Sequence, residues 1–348
     1  MNTNIITANT NTNSISTGTA SALYEAVRNN PFLKNIMGKS DSTITRHVHE
    51  LEMFGRFIAD SKDTAIRSMQ QAQHWSDITA NDIEDYKHYL TYVKGLRTTT
   101  ITQAVYIIKS YARVAYDAGA VSIEELTRID HIKGYRGNEA EHLDEHRRQA
   151  EQKTSASNRH NIKGNVTHLS KKQINALKYA QPDTLTGKRD ALLFCILLDH
   201  GLRISDAIGL TADCIDLENR MMTISTKKTG VVLNLQMTDD VYEAFVNYFS
   251  AYTPVSETAS IWTGVSKHGT ASGTFGKHSA QMEITKVAKA FGIDNFSAHD
   301  CRHCWTDRAI DGGSDLVSVQ QAGGWKSLQM VSHYAQKKAV SNSGVRLS

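Results

Sequence analysis

Apolar residues recur at spacings of four and three along the first third of the chain: Ile44, Val48, Leu51, Phe54 and Ile58 in one run, Ile101, Val105, Ile108, Ala112 and Ala115 in another. That period gathers each set on one face of an α-helix and predicts two amphipathic helices, each with one buried stripe. Thr79 is placed to cap a further helix carrying Ile83, Tyr86 and Leu90; Thr99 or Thr100 caps the next, which Gly119 closes. Residues 19–132 therefore read as a small helical bundle. Between 133 and 167 the periodicity fails and the chain turns polar and charged, apart from a short helix around 139–152, which predicts an interdomain linker. Ser170, with Gln173 three residues on and Ile174 and Leu177 behind it, forms a capping-box pattern that opens a second domain, 168–348.

That domain begins with an unbroken apolar run, residues 191–198, with Gly201 at the stop position: a buried helix. The period then shortens to two. Residues 221–226 and 231–237 read as strands separated by Lys227, Lys228, Thr229 and Gly230, a β-hairpin whose tip carries two lysines. The remainder is mostly helical, with core stripes at Tyr242, Phe245, Val246 and Phe249 and at Ile284, Val287, Ala288 and Phe291. The expected fold is mainly α, with a small β-hairpin or sheet in the C-terminal domain.

Length and composition narrow the class. At about 100–200 residues per domain, 348 residues accommodate two, and an apolar run of eight falls short of the roughly 20 that a membrane helix needs. Residues 1–18, uncharged and rich in Asn, Thr and Ser, read as a flexible tail without the features of a secretion signal. Four cysteines are not a disulfide framework, so a reducing, cytoplasmic setting is expected. The net charge of +3 is modest but uneven. Eight basic residues (Lys153, Arg159, Lys163, Lys171, Lys172, Lys178, Lys188, Arg189) stand against the single acid Asp183 over 153–189, a bias suited to a polyanion lying between two domains.

Three polar clusters of the second domain contain the parts for one reaction: Arg203 with Asp206; the hairpin lysines; and His299 with Arg302, followed by Gly323, Gly324, Trp325, His333 and Tyr334. Paired guanidinium forks match the non-bridging oxygens of a phosphodiester and keep their charge near neutral pH. A histidine positions or accepts a proton, a lysine donates one to a leaving alkoxide, and a tyrosine serves as covalent nucleophile. No metal is required. His299 and His303 one turn apart, with the Cys-x-x-Cys pair Cys301 and Cys304, raise a metal site as a rival, but there is no second cysteine pair to complete four ligands and Arg302 sits among them. His303 and Cys304 are expected to be packing residues, and His333 to lack a catalytic role.

The order and spacing of these residues resemble the tyrosine recombinases, the phage integrase family. Arg203 with Asp206 resembles its Arg-x-x-Glu/Asp element, Lys228 its hairpin lysine, His299 and Arg302 its His-x-x-Arg element, Trp325 its His-or-Trp position in the Cre-like variant, and Tyr334, nine residues later, its nucleophile. The resemblance implies a two-domain DNA clamp, an N-terminal core-binding domain with a catalytic domain. It implies a site-specific recombinase that forms a 3′-phosphotyrosine without metal, ATP or other cofactor. Arg203 and Arg302 would stabilise the five-coordinate phosphate, Lys228 protonate the departing 5′-oxygen, and His299 assist deprotonation of Tyr334; Trp325 would pack beneath the phosphate and Asp206 hold a catalytic side chain. A type IB topoisomerase-like enzyme that nicks and reseals one duplex, and a catalytically silent DNA-binding descendant, are the alternatives. The implied partners are double-stranded DNA, a homotetramer on two sites with a dimer on each, and accessory directionality factors, with nucleoid association and no membrane. Arg97, Lys109, Arg113, Lys171 and Lys172 are further DNA-facing candidates.

Overall fold

The computed structural model describes residues 30–65, 68–153, 167–226 and 230–335, the side chains of 147–153 and 333–335 excepted. The chain divides into two compact units, 1–160 and 161–348. The expected tail, 1–18, lies outside the described residues.

The first unit is all helical. Its elements are α1 (Pro31–Ile36), α2 (Asp41–Ser61), a 3-10 turn (Ala72–Trp75), α3 (Ala80–His88), α4 (Thr98–Asp117), α5 (Ile123–His131) and α6 (Gly137–Lys153). Local chemistry starts them: Ser40 and Ser122 cap α2 and α5, and Thr79 and Asp82 form a reciprocal capping box on α3. Gly119, at φ +76°, ends α4 where the sequence placed it. Ile101, Val105, Ile108, Ala112 and Ala115 are all buried and meet Leu51, Phe54 and Ile58 of α2 around Trp75, Tyr86 and Tyr111. Burying each large side chain of this kind stabilises the unit by about 1.5–3 kcal/mol. Part of the stretch read as a linker is packed structure. Ala140 and Leu143 of α6 lie on the first unit's core, and the Asp144 carboxylate accepts from the Thr98 amide (3.2 Å) and hydroxyl (2.7 Å) at the start of α4.

The second unit is built around one helix. Its elements are α7 (Lys171–Tyr179), α8 (Leu185–Asp199), α9 (Ile204–Ala207), β1 (Ile215–Asp216), β2 (Met221–Ser225), β3 (Val232–Gln236), α10 (Asp239–Phe249), β4 (Thr263–Val265), β5 (Ala271–Thr274), α11 (Lys277–Ala290), α12 (Ala298–Asp311), α13 (Leu316–Ala322) and α14 (Leu328–Ala335). Leu192 through Leu198 of α8 are buried without a break. An apolar run with no polar face demands cover on all sides, which α7, α10 and α12 supply. β1, β2 and β3 form an antiparallel sheet in that order, with Ser225 opposite Val232 at the turn end of the β2–β3 hairpin.

Three expectations differ from the structure. Neither Thr99 nor Thr100 caps α4, which begins at Thr98 with Arg97 at the cap position and no side-chain cap bond. On α10 the buried positions are Val241, Phe245 and Tyr248, while Val246 is 47% exposed. Tyr248 takes the core position expected of Val246, its ring buried and its hydroxyl oxygen accepting from the Thr263 amide at 3.3 Å. The β4–β5 hairpin falls where helix was expected; its Ser, Thr and Gly residues show no alternation, and all four positions of β5 face solvent.

Candidate active site

Of the residues that sequence places in a reaction centre, the structure ties Arg203, Asp206, Arg302 and Trp325 into one cluster. Ser297 and Asp300 start α12 with a capping box: the Ser297 amide donates to Asp300 Oδ2 at 2.8 Å, while the Thr167 amide donates to Oδ1 at 3.3 Å. Asp300 thus anchors both the helix that carries the His-x-x-Arg pair and the chain entering α7. Sequence reasoning passed it over, although Ser-x-x-Asp is a capping signal.

From α12 the Arg302 side chain, 3% exposed, spans two loops. Nη1 donates to the Gly201 carbonyl and Nη2 to the Gly323 carbonyl, both at 2.6 Å, and Cζ lies 3.7 Å from the centroid of the Trp325 ring. Two charge-assisted hydrogen bonds and a buried cation–π contact fix the guanidinium plane. The glycines are required by this geometry. A Cβ on Gly323 would sit 1.9 Å from the Trp325 ring, and one on Gly201, at φ +59°, 2.2 Å from Trp305, whose ring stacks on Trp325 at 6.0 Å. Val319 and Val331 complete this small core with Trp325, so α13 and α14 are held to α12 through the indole.

Arg203 caps α9 and approaches the next residue of the same turn: Nη2 donates to the Gly324 carbonyl at 3.4 Å. The two arginines therefore converge on consecutive carbonyls, Gly323 and Gly324. Nη1 of Arg203 lies 3.7 Å from Oδ2 of Asp206, itself 4% exposed, yet is buried with no hydrogen-bond partner among the described residues. A buried guanidinium N–H left unmatched is costly, and an anion's oxygen satisfies it. A Cβ on Gly324 would lie 3.5 Å from Thr226 Cγ2 and 3.9 Å from Arg203 Nη1, so the end of β2 flanks the same turn. Thr226 closes the hairpin through bonds with Gly230 and Val231; Lys227 and Lys228, between them, lie outside the described residues.

His299 is exposed on the first turn of α12, with its Nε2 3.1 Å from Nε2 of His303. His303 is only half-buried; expected to pack, it contacts the motif histidine instead, and the i, i+4 spacing was the available signal. Tyr334 belongs to α14, which packs on α12, and stands three residues after the buried Val331; its side chain and that of His333 lie outside the described ones. Cys301 and Cys304 are buried in the core on α12. Among the described residues no group of three or more His, Cys, Asp or Glu is arranged to hold a metal ion, and no helix is long and apolar enough to cross a membrane.

The remaining cationic candidates separate. Arg97, Lys171 and Lys172 are exposed. Lys109 Nζ donates to the carbonyls of Asp130 (2.8 Å) and Ile132 (2.7 Å) at the end of α5, with its pKa lowered chiefly by burial, and Arg113 holds the Asp130 carboxylate at 2.9 Å. The described part of the basic stretch, 167–189, is no continuous cationic face. Lys178 is buried between Asp199 and Asp240, Arg189 is buried against Asp190 and the Phe275 ring, and Lys188 pairs with Asp183.

Fold and site together define a two-unit, mainly helical protein whose second unit brings two arginines onto one glycine turn, beside a histidine-bearing helix that packs on a tyrosine-bearing one. Residues 167–340 match the profile of the phage integrase family, half of the chain, and the chain belongs to that family. Tyrosine recombinase XerD of Neisseria meningitidis is 27% identical over 184 residues, 51% of this chain and 61% of that protein. The integrase of Salmonella phage P22 is 27% identical over 146 residues, 40% of this chain and 36% of that one. Tyrosine recombinase XerC of Corynebacterium glutamicum is 25% identical over 149 residues, 42% and 46% respectively, so the chain spans about half the length of the curated relatives it matches. Among solved structures, a λ integrase dimer bound to a COC′ core site matches with TM-score 0.59 at 13% identity, over 96% of this chain and 81% of that one. The Tn1549 transposon integrase in complex with circular intermediate DNA matches with TM-score 0.57 at 15% identity, over 87% and 93%. At these identities the likeness is one of fold.

Proposed function

We propose that the protein is a site-specific DNA recombinase that cuts and rejoins strands through a 3′-phosphotyrosine at Tyr334. The observation that carries the reading is the convergence of Arg203 and Arg302 on the Gly323–Gly324 turn with the Arg203 Nη1 donor unmatched. A scissile phosphate takes that donor. As the Tyr334 oxygen attacks phosphorus, negative charge grows on the non-bridging oxygens, and each well-placed donor stabilises it by about 3–4 kcal/mol. His299 receives the phenol proton, and Lys228 gives a proton to the departing 5′-oxygen. A 5′-hydroxyl from a partner strand reverses the step, so the phosphodiester bond energy is kept and no nucleotide, metal or other cofactor is consumed. Asp206 restrains Arg203, and Trp325 holds Arg302 in plane rather than exchanging a proton.

The substrate is double-stranded DNA, bound by homodimers on each of two sites that join into a tetramer, on nucleoid DNA in the cytoplasm, with accessory factors setting direction. Integrases of the matching fold are seen as a dimer on a core site and as a tetramer on a Holliday junction, which supports this assembly. Exposed Arg97, Arg113, Lys171 and Lys172 are the cationic contacts proposed for the DNA backbone, Arg113 also pairing with Asp130, whereas Lys109 is held by the carbonyls of Asp130 and Ile132. The test is incubation of the full chain with a pool of randomised duplexes, each carrying one nick that lets the short 5′-hydroxyl fragment escape, followed by denaturation. The wild type leaves a covalent protein–DNA adduct and Tyr334→Phe leaves none. DNA binding with no adduct in either form would reject strand transfer.

A further inference from the structure

The contact between His299 and His303 is unused by the reaction as written above. Both rings project from α12 at i and i+4, their centroids are 4.5 Å apart at 81°, and their Nε2 atoms are 3.1 Å apart. At that distance and edge-on angle one nitrogen carries the hydrogen and the other accepts it. We propose that His303 is a positioning residue for His299: their hydrogen bond sets the ring and tautomer of His299 and shares the proton that His299 takes from the tyrosine. The inference rests on the strand-transfer reading.

With both rings neutral, the donor holds its proton on Nε2 and the acceptor must hold its own on Nδ1, so His303 decides which nitrogen of His299 is the base. One added proton is accommodated by the pair as a charged hydrogen bond; a second would set two N–H groups against each other. The pair therefore takes up protons in two separated steps. In the reaction His299 gains the proton the phenol loses, the phenolate oxygen bonds phosphorus, and the 5′-oxygen leaves; His303 forms and breaks no covalent bond with DNA.

Several titratable groups stand on α12 and on the elements packed against it. On α12 itself Asp300 is engaged by the cap at Ser297, and Asp307, a turn beyond His303, binds His168 Nδ1 at 3.1 Å. Of the elements packed on α12, α8 brings Asp199, paired with Lys178, and its capping residue His200, whose pKa burial lowers to about 4; α13 has no titratable group, and α14 brings His333 and Tyr334. Arg302 is committed to two carbonyls and the Trp325 ring.

Two readouts on the full chain test the proposal. The ring proton resonances of His299 and His303 are titrated without DNA in the wild type, His303→Ala and His303→Gln. Adduct formation on the nicked duplex pool is measured across pH in the same proteins. The wild-type His299 curve is expected to be biphasic, and both substitutions to make it monophasic with its midpoint moved by about half a pH unit or more. The acid limb of the adduct rate moves with it, and His303→Gln, which keeps an amide donor and acceptor, recovers more of the rate than His303→Ala. An unchanged His299 curve, or a changed curve with an unchanged rate profile, overturns the proposal. If the wild type forms no adduct while the titrations are coupled, the strand-transfer reading falls and with it the positioning role; adduct with uncoupled titrations sinks the positioning role alone. Should His303→Ala fail to fold, the glutamine variant decides on the same criteria.

Discussion

Gly323→Ala is a single added methyl group whose effect the structure makes large. Gly323 has φ −79°, ordinary for any residue, so no backbone strain accompanies the change. Its Cβ would lie 1.9 Å from the Trp325 ring, and the ring cannot simply slide, because its opposite contacts are the Arg302 guanidinium at 3.7 Å and Trp305 at 6.0 Å between centroids. Overpacking of this kind costs about 1–3 kcal/mol. Displacing the indole also removes a desolvated cation–π contact worth about 2 kcal/mol. The sum, roughly 3–5 kcal/mol, corresponds to a fall in melting midpoint of roughly 6–20 °C for a unit of this size. Thermal unfolding followed by near-ultraviolet circular dichroism reads both the midpoint and the tryptophan environment. Gly276→Ala is the control, since its Cβ would meet nothing within 4 Å; it should cost no more than about 1 kcal/mol, the weaker helix cap. A Gly323→Ala protein that melts within about 2 °C of the wild type with an unchanged tryptophan signal would refute the packing of Trp325 on the glycine turn.

Arg302→Lys replaces a fork that reaches the Gly201 and Gly323 carbonyls with one ammonium, and adduct formation on nicked duplexes should fall by about 10²–10³-fold, against little change if a single charge sufficed. Lys178→Met takes the ammonium partner from the buried Asp199 carboxylate and should destabilise the second unit by about 3–5 kcal/mol in denaturant titration at neutral pH; a loss below about 1 kcal/mol would mean the pair is solvated. Burial holds the His200 pKa near 4 from 6.5, so the unfolded chain binds its proton first and stability drops by about 3 kcal/mol as pH falls from 6.5 to 4. Burial, against the charge of Arg189, lifts Asp190 to about 6 from 3.8, so the folded chain binds that proton first and stability rises by about 3 kcal/mol over nearly the same window. The two nearly cancel: His200→Leu should make stability climb on acidification and Asp190→Asn should make it fall, and parallel curves in all three proteins would contradict both assignments.

What the sequence made legible is what local periodicity and spacing encode. The α2 and α4 stripes, the Ser170–Gln173 capping box, the Gly201 stop and the β2–β3 register all depend on residues within a turn or a hairpin of one another. The order of Arg203, Arg302 and Trp325 was equally plain. Their joining was not, because Arg302 and Arg203 are placed by main-chain carbonyls of Gly201, Gly323 and Gly324, and a carbonyl is common to every residue. The glycines signal it only indirectly, by leaving room for two indole rings. Charge counting failed for the opposite reason. Lys178 and Arg189 lie in a basic stretch of sequence, but Asp199 and Asp240, 21 and 62 positions from Lys178, and the adjacent Asp190 take them inside, so linear density overstated the cationic face. His303 shows the same limit on a smaller scale. Its neighbours in sequence, Cys301, Arg302 and Cys304, all point to the core, whereas the residue that gives it a role stands four places back on the same helix face. Spacing that is read for packing is read as packing, and only the ring geometry distinguishes a contact that fills space from one that carries a proton.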